Sequence, residues 1–566
     1  MPDSATKRVL ELLGRLRGPL ARPWDELMVR VEGVPRRART AAAVAIAAAG
    51  IGLFVAGELP PVDDAARLVP GDALVYVHIN AGRDDDQFER AAALAEGFPS
   101  FDAIADQALA GLARSAIEPV ELAQLDPWLG DQVAFALIPD PARRGRRGVL
   151  ANSLLLLEAA DEQKALDFIA RVAGLEARRE AERDRYRDVL IRTYRERFVV
   201  AFVDGFVLIA NRERPLRQAI DLARGDGASL AAEPAARIAR GELPGSRVAS
   251  AYVSRVGVRD LLLPQTGVLG TLGRLFAHPA LEGVGIALVV TDDGLRVTVD
   301  RTLDPDRAGE PPAAALAGLR AFKPSLPARL PATALAYLGI ADLSRTLQGL
   351  LDQVTVLAPG ASGTLRRVRR QLARAENVDL TKEVLPLLAG ETAFAFEAAT
   401  GSVPVATAIV DGVEGAKARE ALAKLQRPLA AALGDRRAAF EERELDDGVK
   451  AYTVAGSGLV QPTYALFDGM LVAGTAPSAV ERVQAAEATL DGADLFRAAT
   501  GNLPGSVSSL LFLDLQGLLG LAEFAGLGGE PAYARFRDDL RRLEALGLAV
   551  VDGERRSRTE LNLVID

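Results

Sequence analysis

Hydrophobic positions in this chain fall into two regimes. The first is one unbroken run, residues 40–57 (TAAAVAIAAAGIGLFVAG), opening at Thr40 and closing at Gly57. As a helix it rises roughly 27 Å at about 1.5 Å per residue, just enough to cross a hydrocarbon core. Its strongly apolar residues are Val44, Ile46, Ile51, Leu53, Phe54 and Val55. Each contributes about 0.3–0.6 kcal/mol of insertion, and Ala and Gly fill the rest, so the pattern predicts a short, marginal transmembrane helix. After Glu58 the second regime begins, in which short apolar runs alternate with amphipathic stretches.

In that second regime the pattern predicts a strand over 73–79, one or two helices over 86–113 and a hairpin of 132–138 with 149–157. A helix over 162–172 follows, then a meander of 189–194, 198–203 and 206–210. The last turn of the meander is Asp204-Gly205, residues that tolerate the positive φ of a tight hairpin. A helix after Asn211, a strand over 248–253, a helix after Val258 and a hairpin of 285–290 with 295–299 complete the series. Strands joined by short turns imply an antiparallel sheet, here expected to carry its helices on one face. The expected fold class is α+β.

Charge orients the apolar run. Residues 1–39 hold nine Lys or Arg against five acids, with Arg36, Arg37 and Arg39 abutting the run and Glu58, Asp63 and Asp64 following it. Positive-inside logic keeps this head in the cytoplasm. The expected localisation is therefore the cell membrane, single-pass, with a cytoplasmic N-terminus and the bulk of the chain extracytoplasmic. A secretory signal cut near Val55-Ala56-Gly57 is the alternative, and the long head argues against it. The chain carries a net charge of −9 although its head is positive, so the outer part is acidic, which disfavours nucleic acid as a partner. Ala48, Gly52 and Ala56 recur every fourth residue and offer a face for homodimerisation of the transmembrane helix. Cysteine is absent, which excludes disulfides and thiolate metal sites.

The outer region reads twice. Pro70-Gly-Asp-Ala-Leu-Val-Tyr76 returns as Pro331-Ala-Thr-Ala-Leu-Ala-Tyr337, Phe202-Val-Asp-Gly205 as Leu466-Phe-Asp-Gly469, Leu243-Pro-Gly-Ser246 as Leu503-Pro-Gly-Ser506, and Leu281-Glu-Gly-Val-Gly as Leu543-Glu-Ala-Leu-Gly. Turn chemistry explains each pair alone but not their shared order and spacing. The expected organisation is a basic head (1–39), a transmembrane helix (40–57), a linker (58–66), a first repeat (67–304), a Pro-rich linker (305–329) and a second repeat (330–566). The strands carrying Tyr76 and Tyr337 should hold equivalent places in two similar sheets.

The succession of basic head, single span, ARLVPGDALVYVHI, DQFERA, LDPWLGDQVAFAL and LPATALAYLGIADL resembles a bacterial family of membrane-anchored proteins carrying a domain of unknown function, DUF3352. The resemblance covers nearly the whole chain. It implies a surface-exposed anchored protein and brings no activity, cofactor or site residues.

No catalytic motif emerges from the residues themselves. His78 and His278 are the only histidines; alternation places His78 on the same strand face as Tyr76, and the second repeat has Gly339 there. A structural role is the default for His78. Asp84, Asp85 and Asp86 lack the later ligands of a calcium loop and read as a helix start. The Gly-rich stretches 267–273 and 360–363 fail the phosphate-cradle patterns, and Ser457 does not sit in a nucleophile elbow. The basic run from Arg366 to Arg374 reads as a solvated helix face. No cofactor or metal is expected. The function class that fits best is a non-enzymatic binding or scaffold ectodomain, with the bilayer as a partner through residues 40–57 and an envelope protein as a further one. A carrier or sensor of a hydrophobic ligand, suggested by apolar stretches such as 515–527, and a hydrolase with dispersed residues are the alternatives.

Overall fold

A computed structural model describes residues 63–82, 86–100, 127–145, 148–172, 182–194, 198–241, 243–262, 280–304, 306, 321–348, 383–398, 404–433, 439–445, 448–454, 460–485, 488–529, 531–553 and 555–566. The predicted span 40–57 lies outside them, as do His278, Asp84, Asp85, Ser457, both Gly-rich stretches and the run from Arg366 to Arg374. Among the described residues no helix is long and apolar enough to cross a membrane.

Contacts divide the chain into two compact units. The first comprises Met1–Thr271, Leu281–Asp292 and Arg296–Thr302; the second comprises Leu303–Asp566 with Leu272–Ala280 and Asp293–Leu295. Both are α+β.

In the first unit the strands are β1 (Val75–Asn80), β2 (Leu129–Gly145), β3 (Gly148–Ala159), β4 (Glu182–Tyr186), β5 (Val189–Tyr194), β6 (Phe198–Val203), β7 (Phe206–Ala210), β8 (Ala249–Ser254), β9 (Leu281–Thr291) and β10 (Gly294–Leu303). They pair in the order β10-β9-β8-β1-β2-β3-β7-β6-β5-β4. The longer helices are α1 (Asp86–Glu96), α2 (Glu162–Val172), α3 (Glu213–Ala223) and α4 (Pro234–Gly241), and a short helical stretch, Arg255–Gly257 running on through Val258–Leu262, follows β8. The meander strands match their sequence-predicted bounds, and α1 covers the first part of the helical stretch expected over 86–113, of which residues 101–113 lie outside the described residues.

Helices cover both faces of this sheet, not the single face expected. On one face Tyr76, Ala134, Ala136, Leu154, Leu156 and Leu208 pack with Leu216, Ala219 and Ile220 of α3 and Ala236 and Ala239 of α4. On the other, Ile79, Val133, Leu157, Val200 and Val207 pack with Trp128 and with Ala165, Phe168 and Ile169 of α2. The reason lies in β3 and β7, whose central residues (LLLL, FVLI) are apolar without alternation and so present apolar side chains both ways. Fully burying each such side chain contributes roughly 1.5–3 kcal/mol, which a single helical layer would forgo on one side. β4, the outer strand, is polar (ERDRY) and suits an edge.

The second unit contains β11 (Ala334–Ile340), β12 (Thr392–Glu397), β13 (Val405–Val410), β14 (Phe440–Glu444), β15 (Lys450–Val454), β16 (Thr463–Phe467), β17 (Met470–Gly474), β18 (Ser509–Asp514), β19 (Leu543–Asp552) and β20 (Arg556–Ile565). Their order is β20-β19-β18-β11-β12-β13-β17-β16-β15-β14, the order of the first unit element for element. Helix α5 (Gly415–Leu433) covers one face, while α6 (Pro477–Gln484) and α7 (Asp494–Thr500) cover the other. Two further helices, α8 (Leu515–Phe524) and α9 (Pro531–Leu540), follow β18.

Local devices repeat as well. The Asp204-Gly205 and Asp468-Gly469 turns have φ of 48° and 86°, and 50° and 74°, the two-residue geometry that suits a right-twisted hairpin. A short 3-10 turn opens each unit, Ala65–Leu68 and Leu326–Arg329. Gly285 on β9 lets α4 approach so closely that a Cβ there would lie 1.9 Å from the Ala239 carbonyl oxygen; Gly547 on β19 does the same for Ala499 of α7, at 2.1 Å.

Candidate functional site

The first unit buries a group of polar side chains under α4. Alternation along β1 puts Tyr76 and His78 on the face that α4 covers, and both are essentially inaccessible to solvent. Asp63, just before the opening 3-10 turn, accepts a hydrogen bond from the Tyr76 hydroxyl at 2.5 Å and another from the Ala66 backbone N–H at 3.1 Å. Arg240, in the last turn of α4, donates to the second Asp63 oxygen and lays its guanidinium over the Tyr76 ring, 5.3 Å from the centroid. His78 Nε2 lies 4.0 Å from Asp63 Oδ1. Gln132 on β2 accepts from the Asp64 backbone N–H at 2.9 Å and lies beside His78. Arg247, buried just before β8, completes the group and donates to the Pro244 carbonyl oxygen.

Two guanidiniums thus face one carboxylate, and the titration of the neighbours follows. Burial pushes the Tyr76 hydroxyl well above its ordinary range, with the Asp63 charge adding to the effect and Arg240 opposing it. His78 is pushed down, first by burial; Asp63 pulls the other way, and the Arg240 and Arg247 charges reinforce the burial. Its ring is therefore neutral near pH 7. Arg247 is also lowered by burial and then by Arg240. Beyond Gln132, half-buried Glu158 on β3 is raised, chiefly by burial and then by Asp131.

The second unit supplies an internal control. There Glu391 takes the place of Gln132, accepting from the Ser325 and Leu326 backbone N–H groups at 2.9 and 3.0 Å and so fastening the opening turn as Gln132 fastens Asp64. Tyr337 is buried on β11 as Tyr76 is on β1. The charged members, however, are absent: Pro324 stands for Asp63, Gly339 for His78, Thr500 for Arg240 and Val507 for Arg247. A Cβ at Gly339 would lie 2.2 Å from the Tyr337 hydroxyl, so that hydroxyl occupies the space over the strand that His78 fills in the first unit. The same fold forms without the charges. Burying ions is costly unless they are paired, so the first unit carries an expense that its topology does not require.

Chemically the group is a closed ionic fastening. Ser250 on β8 stands directly across from His78, which brings serine, histidine and aspartate side chains near one another, yet Ser250 is only 4% exposed and His78 1%. Of the residues singled out from sequence, the structure joins His78 to Tyr76 and to Asp63, and leaves Asp86 at the first turn of α1. Arg240 and Arg247 were not signalled by the sequence: α4 is a short helix in an unpredicted stretch, and an isolated Arg reads as surface. No group of His, Asp and Glu able to hold a metal ion occurs among the described residues.

The sequence pattern of the family described as "Protein of unknown function (DUF3352)" matches residues 38–561. A search of curated proteins finds no match. Among solved structures, crystal form I of TP0453 is 11% identical, with 43% of this chain and 79% of that chain covered and a TM-score of 0.25. Crystal form III of TP0453 is 11% identical over 47% of this chain and 90% of that chain, with a TM-score of 0.26.

Proposed function

From the DUF3352 family, to which this chain belongs, no activity follows, and we propose from the residues themselves that it is a membrane-anchored extracytoplasmic protein with a non-enzymatic binding or scaffold role in the cell envelope. Residues 40–57 form the anchor, residues 1–39 stay in the cytoplasm, and two duplicated sheet domains lie outside. The identical strand order of the two units, together with the repeated Gly, Asp-Gly and opening-turn devices, supports duplication.

The observation that carries the reading is the placement of the ionic fastening. Asp63 lies six residues after Gly57, where the chain leaves the apolar run, and Arg240, Tyr76 and the Ala66 N–H all hold its carboxylate. The second unit, which follows a linker rather than a membrane anchor, has Pro324 at that position and no such fastening. The group clamps the tethered end of the first domain against the pull of the anchor. Its closure over His78 and Ser250 favours this role over hydrolysis, which requires a nucleophile that substrate can reach.

Protease added to intact spheroplasts tests the arrangement. The region after Glu58 is digested while the head survives; survival of the large region instead overturns the proposal.

A further inference from the structure

Helix α8 (LQGLLGLAEF) is apolar nearly all round, with Gln516 and Glu523 its only polar side chains. A helix of that composition belongs in a protein interior. None of its residues is buried, and Phe524 at its end is 86% exposed. The polar positions are already used locally. Gln516 donates to the Leu543 carbonyl oxygen at 3.0 Å, and Glu523 pairs with Arg537 and Arg541 and accepts from the Tyr533 hydroxyl of α9. These contacts hold the helix onto its unit while its leucines stay half-covered. Gly517 marks the seated side, since a Cβ there would meet Leu335 Cδ2 at 2.5 Å; at Gly520, Gly528 and Gly529 nothing lies within 4 Å.

We propose that α8, with Phe524 as its leading side chain, docks into the apolar boundary of a lipid bilayer. The occupant follows from the chain itself. The run at 40–57, read as an anchor, ties every molecule to a bilayer, so lipid is an apolar phase that α8 can meet without a second protein. The neighbouring charges balance: Arg535 and Arg537 stand beside Asp538 and Asp539 on α9. Docking is therefore apolar rather than electrostatic, and uncharged lipid suffices, in keeping with the acidity of the chain. The inference rests on the anchored reading of residues 40–57.

The chain has no cysteine, so Gly520→Cys provides a single labelling position on α8 without a steric clash. The full chain carrying G520C and an environment-sensitive fluorophore is reconstituted into phosphatidylcholine vesicles and floated. Co-flotation reads the anchor; blue-shifted emission quenched by lipids carrying quencher in their acyl chains reads the docking. Docking predicts both at low and high salt, with the blue shift lost in F524E while flotation is kept. A vesicle-bound chain whose label emits as in water refutes the docking and leaves the anchor standing. Failure to float refutes the anchor. A blue shift that survives F524E, that lipid quenchers do not reach, or that appears in detergent-free solution with concentration overturns the proposal in favour of an internal ligand or a second copy.

Discussion

Replacing Asp63 by Ala removes the one carboxylate shared by Arg240, the Tyr76 hydroxyl and the Ala66 N–H. Side-chain exposure is 9% for Asp63 and 15% for Arg240, so the pair is nearly dry and little solvent rescues the stranded guanidinium. Removing one partner of a buried pair costs about 3–5 kcal/mol, and the remaining access of Arg240 to water places the effect near about 3 kcal/mol. At a urea slope of about 2–3 kcal/mol per molar, the unfolding midpoint of the first unit should fall by about 1 M. Trp128, almost fully buried between the sheet and α2, reports that unit by its fluorescence; the other tryptophan, Trp24, is replaced by Phe to clear the signal. The double variant Asp63→Ala, Arg240→Thr imports the chemistry of the second unit, which has Thr500 in place of Arg240, and should recover at least half of the loss. A single variant within about 0.5 kcal/mol of the parent, or a double variant as weak as the two singles added together, would refute the claim that an ionic pair fastens Asp63 to α4.

Three further outcomes are expected. Because burial lowers the His78 pKa below its unfolded value of about 6.5, the folded ring refuses a proton that the unfolded chain binds; the stability of the first unit is thus unaffected by His78 above pH 6.5 and declines below it, and the decline relative to His78→Gln measures this directly in urea titrations from pH 7.5 to 5. Gly285→Ala and Gly547→Ala each drive a Cβ into a helix carbonyl and should lower the thermal midpoint by about 10 °C, for a cost of about 3 kcal/mol, in circular dichroism; unchanged midpoints contradict the close approach. Gly52→Leu should weaken association of the apolar run in a membrane reporter assay if Ala48, Gly52 and Ala56 form a helix interface, and unaltered association removes that idea.

Much of the fold could be read from local pattern. The meander over 189–210 was legible because Asp-Gly turns punctuate short apolar runs, and the fold class followed from the short connections. The layering was not. Uninterrupted apolar residues in β3 and β7 call for cover on both faces, a consequence that periodicity of single strands does not display. β4 and β14 were invisible because charged, alternating segments such as ERDRY and FEERE lack the apolar signal that marks interior strands. The candidate site was legible only in its β1 part, where Tyr76 and His78 share a face. Asp63 and Arg240 lie 177 residues apart and meet only through the sheet order that sets β8 and β9, on which α4 packs, beside β1, information that no local window contains.

The proposed anchoring requires both units to lie on the outer side of the membrane, and a cysteine-free chain lets this be read one position at a time. Gly245 and Gly505, corresponding positions in the two units where an added Cβ would meet nothing within 4 Å, and Ser4 in the head are each replaced by Cys and treated in intact cells with a membrane-impermeant maleimide. G245C and G505C should be labelled in intact cells, and S4C only after the membrane is breached. Labelling of S4C in intact cells with G245C and G505C silent until lysis would contradict the proposed topology.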